Sequence, residues 1–304
     1  MQRALVDFGV EHSFVSAAAR FAEHYGWSIS PTVLRHWTLQ HARRSASAEI
    51  QALPAPREAL ITALDGSMVP IVRPAQSGDR RKNKELLWRE IRVAVARRKE
   101  DASARYGATL DSCLGAGLMW RQTAERGGLT EHTPVHALAD GAPWIVEQCD
   151  RQFGDRATFL VDFHHVSDYL AAAAVPCAGK DSSQWFEKQK QRLLENQIEE
   201  VLAELQTHFE TVSKDSDGKT PPVRQAHQYI QERKNWMDYA GALRAGLPIG
   251  SGPVESAHRH IVQARVKKAG AWWRETNIEP VVQMRVVRAN GGWNNYWTGN
   301  ASLN

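Results

Sequence analysis

Three short apolar runs, each closed by an aspartate, constrain the fold of this chain more than any other feature. Ala59-Leu60-Ile61-Thr62-Ala63-Leu64 ends at Asp65-Gly66, Val135-His136-Ala137-Leu138-Ala139 at Asp140-Gly141, and Thr158-Phe159-Leu160-Val161 at Asp162. Runs of this length bounded by turn residues read as strands, and the helical patterns between them predict a mixed α/β fold. Met68-Val69-Pro70-Ile71-Val72 follows the first run, so Asp65 is expected where one strand gives way to the next. Gly66 and Gly141 would then let the backbone bend away from an approaching ligand. Residues 91–96 alternate like a half-buried strand.

Helical spacing dominates elsewhere. Residues 13–44 read as two helices: Ser13 is an N-cap, Gly26 stops the first, and Ser30-Pro31 opens the second with a cap and an N1 proline. The pair is compatible with a helix-turn-helix or with an ordinary helical hairpin. Residues 45–58, with Pro54 and Pro56, look like a linker. Residues 164–210 keep an apolar stripe (Phe186, Leu193, Leu194, Ile198, Val201, Leu205) that reads as a packing face. A polar loop at 213–222 and a helical segment at 224–245 lead to Gly250-Ser251-Gly252-Pro253, the strongest turn signal in the chain, and then to a helix that opens with Glu255. The expected division is a helical segment at 1–56, the first part of an α/β core at 57–165, a helical insertion at 166–247 and completion of the core at 248–304.

Composition narrows the class. The chain has 304 residues, 42% of them hydrophobic and 24% charged, which excludes disorder and collagen-like repetition. No apolar run reaches the roughly 18 residues of a membrane span, and residues 1–7 lack a signal-peptide core, so a soluble, intracellular protein is expected. Cys113, Cys149 and Cys177 are too scattered for a disulfide framework or a zinc site. The net charge of +4 is unevenly spread: residues 73–105 hold 11 Lys/Arg against 5 Asp/Glu, and residues 256–288 hold 7 against 2. Two basic blocks of this kind suit a polyanion, although solvated faces give the same imbalance. The candidate phosphate contacts are Arg80, Arg81, Lys82 and Lys84 in the first block, and His258, Arg259, Arg265, Lys267 and Lys268 in the second.

Three carboxylates stand at places where chemistry is commonly built. Asp65 and Asp140 end apolar strands and Glu255 lies in the first turn of a helix. Oxygen ligands of this kind suit Mg²⁺ or Mn²⁺, and three of them can hold two ions for in-line displacement at phosphorus. Each residue has a plainer reading: Asp-Gly is a common turn dipeptide, and a glutamate at a helix start is favoured by the macrodipole. Their order along the chain lifts the set above its members. Asp162-Phe163-His164-His165 is a competing transition-metal site. Adjacent histidines point different ways, however, so Asp162 is expected to cap a helix while His164 and His165 support the main site. Trp272-Trp273 reads as helix-end packing or as a platform for an unpaired base.

The blocks Leu64-Asp65-Gly66-Ser67-Met68-Val69-Pro70, Ala139-Asp140-Gly141-Ala142-Pro143-Trp144-Ile145, Val161-Asp162-Phe163-His164-His165 and Gly250-Ser251-Gly252-Pro253-Val254-Glu255-Ser256, continued by residues 265–273, resemble the ISKra family of insertion-sequence transposases. The resemblance covers about residues 60–290. It implies a ribonuclease-H-like mixed sheet with a helical insertion, and a DDE transposase whose metal-binding catalytic residues are Asp65, Asp140 and Glu255. It further implies Mg²⁺ or Mn²⁺ as cofactor, and insertion-sequence terminal repeats and target DNA as partners. A homo-oligomer on DNA and a cytoplasmic, nucleoid-associated location follow from the same likeness. Such transposases commonly carry an N-terminal DNA-binding region with paired cysteines, which this sequence lacks. A truncated DNA-binding remnant and a nuclease without strand transfer therefore stand as the alternatives.

Overall fold

The computed structural model describes residues 1–45, 48–74, 84–100, 102–214 and 217–300. They form two compact units, Met1–Thr133 with Gly252–Asn304, and Pro134–Ser251.

The first unit opens with three helices, α1 (Gln2–Glu11), α2 (Phe14–Tyr25) and α3 (Pro31–Arg44). The predicted punctuation is in place. Ser13 Oγ accepts from Ser16 N–H, Gly26 takes the left-handed conformation at φ 66°, and Ser30 Oγ accepts from Val33 N–H. Leu5, Ala17, Ala18, Phe21 and Leu34 bury the faces these helices share. The helix α1 was not legible in the sequence, because its polar Gln2, Arg3 and Asp7 break the apolar stripe.

A three-stranded antiparallel meander follows: β1 (Leu60–Pro74), β2 (Lys84–Arg98) and β3 (Ala104–Thr109), in the order β3-β2-β1. The expected break at Asp65 is absent. β1 runs unbroken through Asp65-Gly66, which pair with Val93 and Arg92. What changes there is burial: residues 60–64 are covered on both faces, whereas Val69 and Ile71 alternate with more open neighbours. Continuous apolarity followed by alternation therefore marks one strand whose second face becomes uncovered, not two strands. Gly66 does not bend the chain either. A Cβ at this position would meet the Glu90 carboxylate, which lies across it and pairs with Arg92 at 2.6 Å. β3 leads into α4 (Cys113–Arg126), capped by Ser112.

The second unit holds the parallel pair β4 (Val135–Ala139) and β5 (Ala157–Val161), joined by α5 (Pro143–Phe153). Helices α6 (Phe163–Ala178), α7 (Ser182–Leu194), α8 (Ile198–Thr207), α9 (Pro222–Arg233) and α10 (Tyr239–Arg244) follow. The predicted stripe at 186–209 supplies buried Leu193, Val201, Leu202 and Leu205.

The chain then re-enters the first unit through α11 (Gly252–Ala257), a π-helical stretch (His258–Gln263), α12 (Ala264–Val266), α13 (Glu275–Ala289) and α14 (Trp293–Asn300). Val254, His258, Val262 and Val266 are all buried, at a repeat of four. An α-helix would carry a four-residue repeat around its axis by about 40° per step, and the wider π-turns offset that drift. An antiparallel meander, a helix, and then alternating parallel strands and helices make a mixed α/β fold. Among the described residues no helix is long and apolar enough to cross a membrane.

A buried relay holds α4 against the meander. Trp120 Nε1 donates to Thr62 Oγ1 at 2.7 Å, and Thr62 Oγ1 donates to the Val95 carbonyl at 2.7 Å. Trp120→Phe and Thr62→Val should each lower the unfolding free energy by about 1–3 kcal/mol, since each leaves a buried polar group unmatched. The double variant should lose less than the sum. Urea denaturation of the three proteins checks this; strict additivity would show that the bond contributes nothing.

Candidate active site

The strand β1 places Asp65 and Ser67 on one face, two residues apart. Asp65 is half-buried, and its Oδ1 accepts from the Gly66 N–H at 2.8 Å. Its other neighbour is His258, on the helix that carries Glu255 and three residues beyond it. His258 Nε2 lies 3.4 Å from Asp65 Oδ2 and 3.2 Å from the Asp65 carbonyl. Both neighbours of Nε2 are acceptors, so this nitrogen carries the proton and donates. Burial pushes the imidazole below its ordinary pKa, against the pull of the Asp65 carboxylate. His258 Nδ1 is buried and has no hydrogen-bond partner among the described residues.

Glu255 itself is exposed in the first turn of α11, while Val254 and Ala257 on the opposite side are buried. Lys267 lies farther along the same helical segment and returns to β1, where its Nζ donates to Ser67 Oγ at 3.0 Å. Asp65, Glu255, His258 and Lys267 are thus organised within one unit by the packing of one helical segment on one strand.

Asp140 belongs to the second unit. It directly follows β4, and its Oδ1 accepts from the Ala142 N–H at 2.8 Å, an Asx turn. Here the Asp-Gly pair is a true turn. Gly141 has φ 74°, and a Cβ would strike both Arg233 and Val161. The loop is braced from α9: Tyr229 Oη donates to the Asp140 carbonyl and Arg233 Nε to the Gly141 carbonyl at 3.1 Å. Burial drives the Tyr229 phenol well above its ordinary pKa, so it remains a donor. Sequence reasoning missed both residues; no local signal couples α9 to a loop some ninety residues earlier.

Asp162 caps α6, as expected, with Oδ1 accepting from His164 N–H at 2.6 Å. It is fully buried, and Oδ2 accepts from the Ser251 N–H at 2.6 Å and from the Ser251 hydroxyl. The Phe163 N–H donates to the Ile249 carbonyl at 2.9 Å. Asp162 therefore fastens the loop that precedes α11. The His164 ring is exposed and lies over Gly250, where a Cβ would meet it; His165 is half-buried. Within either unit, among the described residues, no three His, Cys, Asp or Glu side chains gather as a metal cluster.

Of the candidate phosphate contacts, Lys84, Arg259, Lys267 and Lys268 belong to the described surface, and Lys84 Nζ sits 5.6 Å from the Trp272 ring centre. Arg80, Arg81 and Lys82 lie outside the described residues. Arg265 is not placed to meet a phosphate. It is 2% exposed, clamped between the Phe14 and Trp273 rings at 4.7 and 4.6 Å, and donates to the Gly9 carbonyl. Burial pushes its pKa down to about 10. His258 is likewise buried, against Asp65. Trp273 is core packing and Trp272 is 59% exposed.

A family model, that of an uncharacterised protein family, matches residues 129–297, more than half of the chain. The chain belongs to the UPF0236 family. The matched part of this UPF0236 protein contains Asp140, Asp162 and Glu255 and begins after Asp65. No curated protein matches it in sequence. Among solved structures it is similar to the Drosophila P element transposase strand transfer complex, at 8% identity and TM-score 0.34, covering 99% of this chain and 80% of that one. It is also similar to NurA at 13% identity and TM-score 0.15, covering 87% and 59%. A NurA structure with manganese gives 14% identity and TM-score 0.14, covering 85% and 59%. Overlaps this loose transfer neither residues nor roles to the UPF0236 chain.

Removing the Asp162 carboxylate strands three donors, two of them on Ser251. Asp162→Ala should cost about 3 kcal/mol or more, and Ser251→Ala about 1 kcal/mol. Chemical denaturation of both variants checks the ranking; equal losses would mean that the backbone N–H bonds contribute little.

Proposed function

We propose that this UPF0236 protein is a DDE-type DNA transposase that cleaves DNA strands at element ends and transfers them. The observation that carries this reading is the docking of the Glu255 helix on β1 at Asp65 through His258. Two of the three carboxylates read from the sequence are thereby organised by one buried contact. Asp140, on its braced turn after β4, is the third. The donor set consists of carboxylate oxygens, which suits a hard cation. Mg²⁺ or Mn²⁺ held by Asp65, Asp140 and Glu255 would supply Lewis-acid activation of a water or 3′-hydroxyl and stabilisation of the leaving oxygen.

The chain's own side chains have definable tasks. His258, its pKa lowered by burial, donates to Asp65 and keeps that carboxylate turned toward the helix. Tyr229 and Arg233 hold the backbone at Asp140, so its side chain needs no reorganisation. Exposed Arg259, Lys267 and Lys268 lie on the segment after Glu255, where they can neutralise backbone phosphates; such contacts set register without reading bases. Phosphoryl transfer relies chiefly on positioning and electrostatics, and this arrangement asks for no covalent nucleophile.

Asp65→Asn, Asp140→Asn and Glu255→Gln should each abolish Mg²⁺-dependent nicking and joining of terminal-repeat DNA, with melting temperature and DNA affinity retained. Nicking at the wild-type rate by any one of them removes that residue from the set. Joined products mark a transferase, whereas nicks without joining mark a nuclease. In the same DNA-binding assay, Lys267→Ser with Lys268→Ser should flatten the slope of log affinity against log salt by about 0.9 per lost phosphate contact. An unchanged slope would detach the segment after Glu255 from the DNA.

A further inference from the structure

The first unit carries a second concentration of positive charge that the candidate active site does not use. Between α3 and the start of α13 lies an open groove of about 640 Å³. Arg35, His36, Arg43 and Arg44 of α3 line it together with Arg274, the N-cap of α13, and no acidic residue does so. All five side chains are exposed. Arg35, Arg43 and Arg274 enter no ion pair among the described residues; Arg43 donates to Asn277 at 2.8 Å. The adjoining carboxylate, Glu275, is already engaged by Arg73 at 3.2 Å and Arg89 at 2.6 Å. The charges of Arg35, Arg43 and Arg274, with no paired carboxylate among the described residues, repel one another, and an anionic ligand relieves that cost.

The shape of the row selects the ligand. Arg35 and Arg43 are eight residues apart on one helix, about 12 Å along its axis. One phosphate cannot span that distance, whereas four or five successive phosphates of a DNA strand, about 3.4 Å apart along the duplex axis, can. The N-cap of α13 makes no side-chain hydrogen bond, so the first amides of this 15-residue helix add their positive end to the groove. Buried apolar anchors, which a protein partner would need, are nearly absent, since Leu39 is the one large aliphatic in the lining.

We propose that the α3–α13 groove is a DNA-backbone site in its own right, contacting phosphates through Arg35, Arg43, Arg44 and Arg274. The proposal shares DNA as partner with the reading above but requires no cleavage. It is tested by fluorescence anisotropy with a 30-base-pair duplex in EDTA across a salt series. Arg35→Ser with Arg43→Ser and Arg274→Ser should weaken binding at low salt and flatten the log–log slope by about 2.7, three contacts at about 0.9 each. The corresponding triple lysine variant keeps the charge and should retain most of the slope. An unchanged affinity and slope in the serine variant would overturn the proposal, as would an equal loss in the lysine variant. The Asp65→Asn variant should bind with the full slope. A flattened slope in the triple serine variant alongside normal nicking by Asp65→Asn would retain the groove and remove the catalytic reading; the converse result would do the opposite.

Discussion

His258 and Asp65 join parts of the chain 193 residues apart, and the helical segment from Gly252 to Val266 lies where it does because of that contact. A histidine buried to 3% exposure must find acceptors for its N–H, and the Asp65 carbonyl and carboxylate provide them. Once His258 is seated, the register of the segment follows. Glu255 faces outward one turn earlier, and Lys267 reaches Ser67 two turns and more later. Arg265 turns inward between Phe14 and Trp273, where its guanidinium meets the Gly9 carbonyl of α1. Arg285 of α13 repeats the device, donating to the carbonyls of Ile261 and Val10 at 2.8 Å each. Two buried arginines that donate to main-chain oxygens, Arg285 also pairing with Glu11 at 2.8 Å, thus couple the N-terminal helices to the helix bearing Glu255.

This use of buried charge explains why the two basic blocks of the sequence divide as they do. A guanidinium with a carbonyl partner and aromatic faces is stable inside a protein, as at Arg265, and Arg285 adds an ion pair with Glu11 at 2.8 Å to its carbonyl partners. Lysine is more strongly hydrated, and Lys267 and Lys268 remain at the surface. Arg35, Arg43 and Arg274, which enter no ion pair among the described residues, line the α3–α13 groove instead.

Strands β4 and β5 with the aspartate that follows each, the cap of α6 by Asp162, the caps of α2 and α3 and the turn before α11 were all readable from residue patterns. Each depends on neighbours within a few positions. The failures share the opposite property. At Asp65-Gly66 the dipeptide looks like a turn, but cross-strand pairing with Val93 and Arg92 keeps it extended, and the glycine is needed by Glu90 rather than by the backbone. β3 and α4 escaped notice because Gly107, Gly115 and Gly117 dilute their patterns, although tertiary packing overrides that weakness. Tyr229, Arg233 and Ser251, which fix the loops at Asp140 and Asp162, act across long sequence separations and carry no motif. The carboxylates of the candidate site were legible; the groups that hold them still were not.

Because Pro134–Ser251 interrupts Met1–Thr133 and Gly252–Asn304, the first unit is split in time as well as in sequence. A ribosome adding about 5–20 residues per second needs roughly 6–24 s to make the 118 intervening residues. Throughout that interval β1 presents Asp65 without His258, Glu255 or Lys267. A nascent chain therefore carries β1 with the Asp65 carboxylate not yet covered by His258. The Asp65–His258 contact forms only after residues 252–266 have been made, so the first unit closes late in synthesis.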